Sequence, residues 1–126
     1  MLRITYTSEA SETIGARDIF RIVEQSAANN VAADLSGFLL FRRNRFFQVV
    51  EGEPPAIEQL MKRLERDKRH HSMTTLYREE NKARSFARWR MKRFGQGQKT
   101  PIPEELARAL IDAPAFLRQS VKEFLS

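Results

Sequence analysis

Three side chains with amide or phenol chemistry could carry a site: Gln48, inside an otherwise apolar strand, Tyr6 and Asn30. Gln48 lies inside Phe46-Phe47-Gln48-Val49-Val50, where a buried amide without partners would cost on the order of 1 to 3 kcal/mol. Either hydrogen-bonding groups meet it, or the strand is an edge and Gln48 faces solvent. Tyr6 ends the first apolar run, a place where a ring joins the core and its hydroxyl sits at the rim. Asn30 follows Asn29 at the end of a helical segment, a common capping position. An amide carries donor and acceptor on one planar group, whereas a phenol, with a pKa of about 10, keeps its proton at neutral pH. Other chemistries find less support. His70 and His71 are adjacent and so point different ways, and no carboxylate stands at helical spacing to complete a His-Glu-x-x-His metal set. With no cysteine, disulfides, thiolate zinc sites, Fe–S clusters and thiol nucleophiles are all excluded. Neither Gly-x-x-x-x-Gly-Lys nor Gly-x-Gly-x-x-Gly occurs, and Glu9 and Glu12 would oppose a phosphate in the loop after the first strand. No enzyme activity is expected.

The elements that must position these residues come from a chain of 126 residues, 41% hydrophobic and 30% charged, enough for one compact domain with a real core. The net charge of +6 is concentrated: positions 62–93 hold twelve Lys/Arg against four Asp/Glu, while positions 96–126 balance. This basic stretch, with its aromatics, makes a ferredoxin-like nucleic-acid or protein-interaction module without cofactor the alternative reading, although the glycine-and-aromatic pattern of base-stacking sheets is missing. Arg88, Arg90 and Lys92 could equally meet an acidic partner. No apolar run reaches the roughly 20 residues of a bilayer span, and MLRITYTSEA lacks the form of a signal peptide. A cytoplasmic protein is expected.

Leu2 to Tyr6 reads as a strand, and Ile19, Phe20, Val23 and Ala27 trace a helix from Ala16 to about Asn29, with Gly15 as its cap. Leu35 to Phe41 and Phe46 to Val50 flank a polar hairpin turn. Pro54 and Pro55 open a second helix ending near Asp67. Met73 to Tyr77 is a fourth strand, and Ala87, Trp89 and Met91 alternating with Arg88, Arg90 and Lys92 form a fifth with one buried face. The order βαββαββ predicts an α+β, ferredoxin-like sheet with two helices on one side. Gly95 to Pro103 breaks periodicity, placing a boundary near Gly97 between a domain at 1–96 and an extension at 97–126 with two amphipathic helices.

Taken together, Tyr6-Thr-Ser8, Ser26 with Asn29-Asn30 before Leu35-Ser36-Gly37, Phe46 to Gly52, Asp67-Lys-Arg69-His70 and Phe86-Ala-Arg-Trp89-Arg-Met91 resemble the BLUF family of flavin-binding blue-light sensors over residues 2 to 94. Ser36 replaces a frequent threonine, and Arg43-Asn44 replaces small hairpin residues. The resemblance implies a noncovalent flavin between the two helices on one face of the sheet, FAD with FMN or riboflavin as alternatives. It implies that Tyr6 is the electron and proton donor, that Gln48 bridges Tyr6 to the ring and switches by rotation or tautomerisation, and that Asn30 binds the ring edge. Ser26, Asn29, Asp67, Arg69 and His70 are further candidate flavin contacts, with Trp89 and Met91 coupling the site to the outside. The signal would pass to a separate effector protein, with a homo-oligomer as a further expectation.

Overall fold

Leu2, Ile4 and Tyr6 alternate with Arg3, Thr5 and Thr7, and all six are buried. A strand dry on both sides must be covered on both faces, and the computed structural model shows by what. It describes residues 1–11, 16–68, 70–81, 83–94 and 102–126, without the side chains at 16, 17, 19, 20, 22, 23, 26, 27, 91 and 93. Gly15, Arg69 and the boundary near Gly97 therefore lie outside the described residues, as do the side chains of Ser26 and Met91 and the apolar face expected for the first helix.

The elements are β1 (Leu2–Ala10), α1 (Ala16–Ala32), β2 (Ser36–Arg42), β3 (Arg45–Gly52), α2 (Pro54–Arg66), β4 (His70–Glu80), β5 (Arg90–Phe94), α3 (Glu104–Ala109) and α4 (Ala115–Leu125). The sheet order is β4-β1-β3-β2-β5, antiparallel except for β2 with β5. The expected ferredoxin-like arrangement is thus present, with β5 added beyond β2. β1 runs four residues past Tyr6 because β3 and β4 both pair with it, and ladder bonds on two sides outweigh the weak strand preference of Ser8-Glu9-Ala10. The β2–β3 hairpin turns on Arg43 and Asn44, at φ 53° and 63°, the left-handed pair that a two-residue turn requires.

One face of the sheet carries Leu2, Ile4, Tyr6 and Val50, packed with Leu35 and with Ile57 and Leu60 of α2. Pro54 starts that helix where a missing N–H is harmless. Burying Ile57 and Leu60 contributes about 1.5 to 3 kcal/mol each. The opposite face carries Phe38, Leu40, Phe47 and Val49, covered by Leu106, Leu110, Leu117 and Val121 of the C-terminal segment. Arg118 locks the two tail helices together, its Nη1 donating to the carbonyls of Leu110, Ile111 and Ala113.

The fifth strand departs from its expected alternation. Trp89 precedes β5, and the register with β2 slips so that Arg90 faces Gly37 while Lys92 faces Phe38. Met91 is the extra residue of a bulge, which changes which side later residues take. Hence Trp89 and Phe94, five positions apart, share the tail face with ring centroids 5.1 Å apart. Lys92 lies there too, its Nζ 3.1 Å from Glu105. Trp89 does not stand opposite Lys92, as strict period-two alternation would require.

Candidate functional site

Tyr6 and Gln48 are direct cross-strand partners of β1 and β3. Opposed residues share a face with Cβ atoms about 5 Å apart, and here the Tyr6 Oη donates to Gln48 Oε1. Both are buried, at 3% and 4% exposure, because β3 is the middle strand of five and not an edge. That removes the solvent-facing reading of Gln48. Burial, and secondarily the negative charge of Asp67, push the Tyr6 phenol above its ordinary value. Its proton therefore stays on Oη at any ordinary pH, and the bond to Gln48 persists.

Asn30, in the last turn of α1, is fully buried. Its backbone carbonyl accepts from Leu35 N–H at 2.8 Å, and Leu35 packs in the same cluster as Tyr6. Among the described residues, neither Nδ2 nor Oδ1 of Asn30 has a hydrogen-bond partner. A primary amide left dry in this way costs about 1 to 3 kcal/mol per unsatisfied group, and a group that presents an acceptor and a donor side by side would satisfy it. Asn29 is only half-buried, and its carbonyl accepts from Ala33 N–H at 3.0 Å, closing the helix end.

Asp67 and His70 flank the C-terminal end of α2, lining a cavity of about 480 Å³ with Leu64, Met73 and their neighbours. Asp67 reaches the phenol electrostatically, and His70 sets its ring edge-on to Phe46, centroids 6.4 Å apart. Tyr6, Gln48, Asn30, Asp67 and His70 thus belong to the helix-covered face, around its central strands. Trp89 does not join them: it packs with Phe38, Phe86 and Phe94 on the tail face. Among the described residues there is no group of three or more His, Cys, Asp or Glu that could hold a metal ion, and no helix is long and apolar enough to cross a membrane.

Arg3 and Glu51 do not stand out by residue type, yet they face each other across β1 and β3 and are 2% and 1% exposed. The available signal is the alternation itself, since each charge falls in step with buried positions of its strand. Pairing them requires the register.

The family model described as "Sensors of blue-light using FAD" matches residues 1–92. The chain is 26% identical over 124 residues to a photoactivated adenylate cyclase subunit beta of Euglena gracilis, covering 98% of this chain but 14% of that protein. It is 26% identical over 91 residues to the blue light- and temperature-regulated antirepressor BluF of Escherichia coli, covering 72% of this chain and 23% of that one. The chain thus spans a small fraction of these curated relatives. A solved structure of BlsA in its photo-activated state superposes with a TM-score of 0.78 at 26% identity, covering 98% of this chain and 94% of the other. A match that runs from the strand bearing Tyr6 through the one bearing Gln48 and into β5 makes the chain a member of the BLUF family of blue-light sensors.

Proposed function

We propose that this chain is a blue-light receptor that holds a flavin noncovalently between α1 and α2 and signals to a separate protein by contact. The observation that carries this reading is the buried Tyr6–Gln48 hydrogen bond on the face that also holds the unsatisfied amide of Asn30. The residues fit a flavin. The ring's O4/N3 edge offers an acceptor beside a donor, the complement of a primary amide. Asn30 would hold that edge, Gln48 would meet the ring, and Asp67, His70, Asn29, Ser26 and Arg69 would serve its periphery and side chain. FAD is proposed over FMN or riboflavin because the family's description names it.

When bound, a flavin supplies blue-light absorption and an excited state that is a strong oxidant. Tyr6 is the electron-rich partner, and its Oη holds the proton that points at Gln48 Oε1. Burial and Asp67 disfavour an unassisted loss of that proton, so Tyr6 would give it up together with an electron. Gln48 carries donor and acceptor on one plane, so rotating or tautomerising its amide reverses what it offers to its neighbours without displacing β3. Residues 1–96 would be the sensor and 97–126 the output segment, acting on an effector protein or on a second copy, with no catalysis of its own.

Asn30→Ala is expected to weaken flavin binding by about 2 kcal/mol, roughly thirty-fold in Kd, through the loss of two hydrogen bonds of about 1 kcal/mol each. Titrating apo-protein with FAD, FMN and riboflavin by fluorescence quenching checks this and the order of preference. An unchanged Kd would remove Asn30 from the ring edge.

A further inference from the structure

A row of polar residues crosses four strands on the tail face: Glu79 of β4, Arg3 of β1, Glu51 of β3 and Ser36 of β2, each opposite the next in register. Arg3 grips Glu79 with two bonds of 3.0 Å, from Nε and Nη2, and its Nη1 donates to Ser85 Oγ at 2.7 Å. The same Nη1 lies 3.5 Å from Glu51 Oε2. Glu51 spends its remaining capacity on the segment between β4 and β5. Its Oε2 accepts from Ser85 N–H at 2.8 Å and its Oε1 from Phe86 N–H at 2.9 Å, with Ser36 Oγ donating to Oε1 at 3.2 Å. Arg84 adds a brace, donating to Ser36 Oγ at 2.8 Å, to the Glu51 carbonyl at 3.3 Å and to the Asp34 carbonyl at 2.5 Å.

A carboxylate this deeply buried is tolerated only with charge and hydrogen bonds around it. Two of those bonds come from consecutive backbone amides, so the carboxylate fixes a main-chain conformation and not merely a side chain. Phe86 is held where its ring packs against Phe38, 5.0 Å between centroids. The chain then turns, Trp89 N–H donating to the Phe86 carbonyl at 3.0 Å and the Trp89 carbonyl accepting from Gly37 N–H at 2.7 Å. Trp89 therefore enters the tail-face cluster, nearly parallel to Phe86 at 5.8 Å and 14°.

We propose that Glu51, held by Arg3, is the positioning residue that seats Trp89 on the tail face and so joins β3, the strand of Gln48, to the C-terminal helices. Gln48 and Glu51 are three residues apart and therefore on opposite faces of one strand. The assignment does not depend on flavin binding, and its test separates from that reading.

Trp89 is the sole tryptophan, so its fluorescence reports the seat directly. In full-length wild-type protein the Ser85 and Phe86 amides should exchange slowly with deuterium while those of Ala87 and Arg88 exchange fast. Glu51→Gln places an NH2 against one of the two backbone donors. It should raise acrylamide quenching of Trp89 several-fold and release the Phe86 amide. Ile57→Ala, which opens a cavity in the other cluster, should lower stability without moving either readout. Ser85→Ala, at an exposed position, removes one Arg3 bond and should raise quenching part of the way even if Glu51→Gln does not fold. Fast exchange of the wild-type Phe86 amide, or Trp89 quenching and Phe86 protection unchanged in Glu51→Gln, would overturn the assignment. A protein that binds no flavin would leave these readouts intact and count only against the photoreceptor reading.

Discussion

Tyr6→Phe is expected to fold and bind flavin and to lose the light-induced red shift entirely. The ring that fills the core among Leu2, Ile4, Leu35 and Val50 is retained, so packing barely changes. What disappears is the Oη that donates to Gln48, the group assigned the electron and the proton. Losing that one hydrogen bond costs about 0.5 to 1.5 kcal/mol of stability, a small matter beside complete loss of the photoresponse. Gln48→Leu should give the same spectroscopic result from the other side of the bond, since a leucine has nothing to turn. Difference spectroscopy after a blue pulse checks both variants. A wild-type difference spectrum from either would show that this pair does not carry the response.

Gly37→Ala should have the largest effect on the fold, more than about 3 kcal/mol and enough to leave little folded protein. Gly37 has φ 150°, and a Cβ there would sit 1.9 Å from the Val49 carbonyl oxygen and 2.8 Å from its carbon. Those are backbone atoms of β3, so relief requires the two strands to part. Parting them disturbs the ladder that places Gln48 and also the bond from Gly37 N–H to Trp89. Thermal unfolding followed by circular dichroism measures the loss. A melting temperature within a few degrees of wild type would mean that the strands approach less closely than the geometry requires.

Much of the sheet is legible in the sequence because apolar runs, hairpin signals and paired prolines are local features. β2, β3 and α2 follow such signals within a residue or two. Only the Met73–Tyr77 centre of β4 is readable, since an edge strand with exposed Thr, Arg and Glu positions carries little hydrophobic pattern. The burial of Gln48 is undecidable locally because it depends on β3 being central, a matter of strand order. Trp89 escapes a one-dimensional reading for a similar reason: one extra residue at Met91 inverts an alternation that looks clean along the chain. Arg3 and Glu51 illustrate the same gap, as ordinary surface types whose meaning arises when two strands bring them opposite each other. Tyr6, Gln48 and Asn30 are each ambiguous in isolation, since a rim tyrosine, an edge-strand glutamine and a capping asparagine read the same way locally; it is their joint occurrence within motifs that resemble the BLUF family that singles them out.

A photoreceptor of this kind requires a switchable Tyr6–Gln48 pair standing against a flavin. An absorption spectrum of the purified protein, recorded in the dark, immediately after blue light and again after dark recovery, tests it most directly. The expected result is a yellow protein whose flavin bands move slightly to the red on illumination and return in the dark. A protein that is colourless and takes up no added flavin, or one whose bound flavin bands do not move, would contradict it.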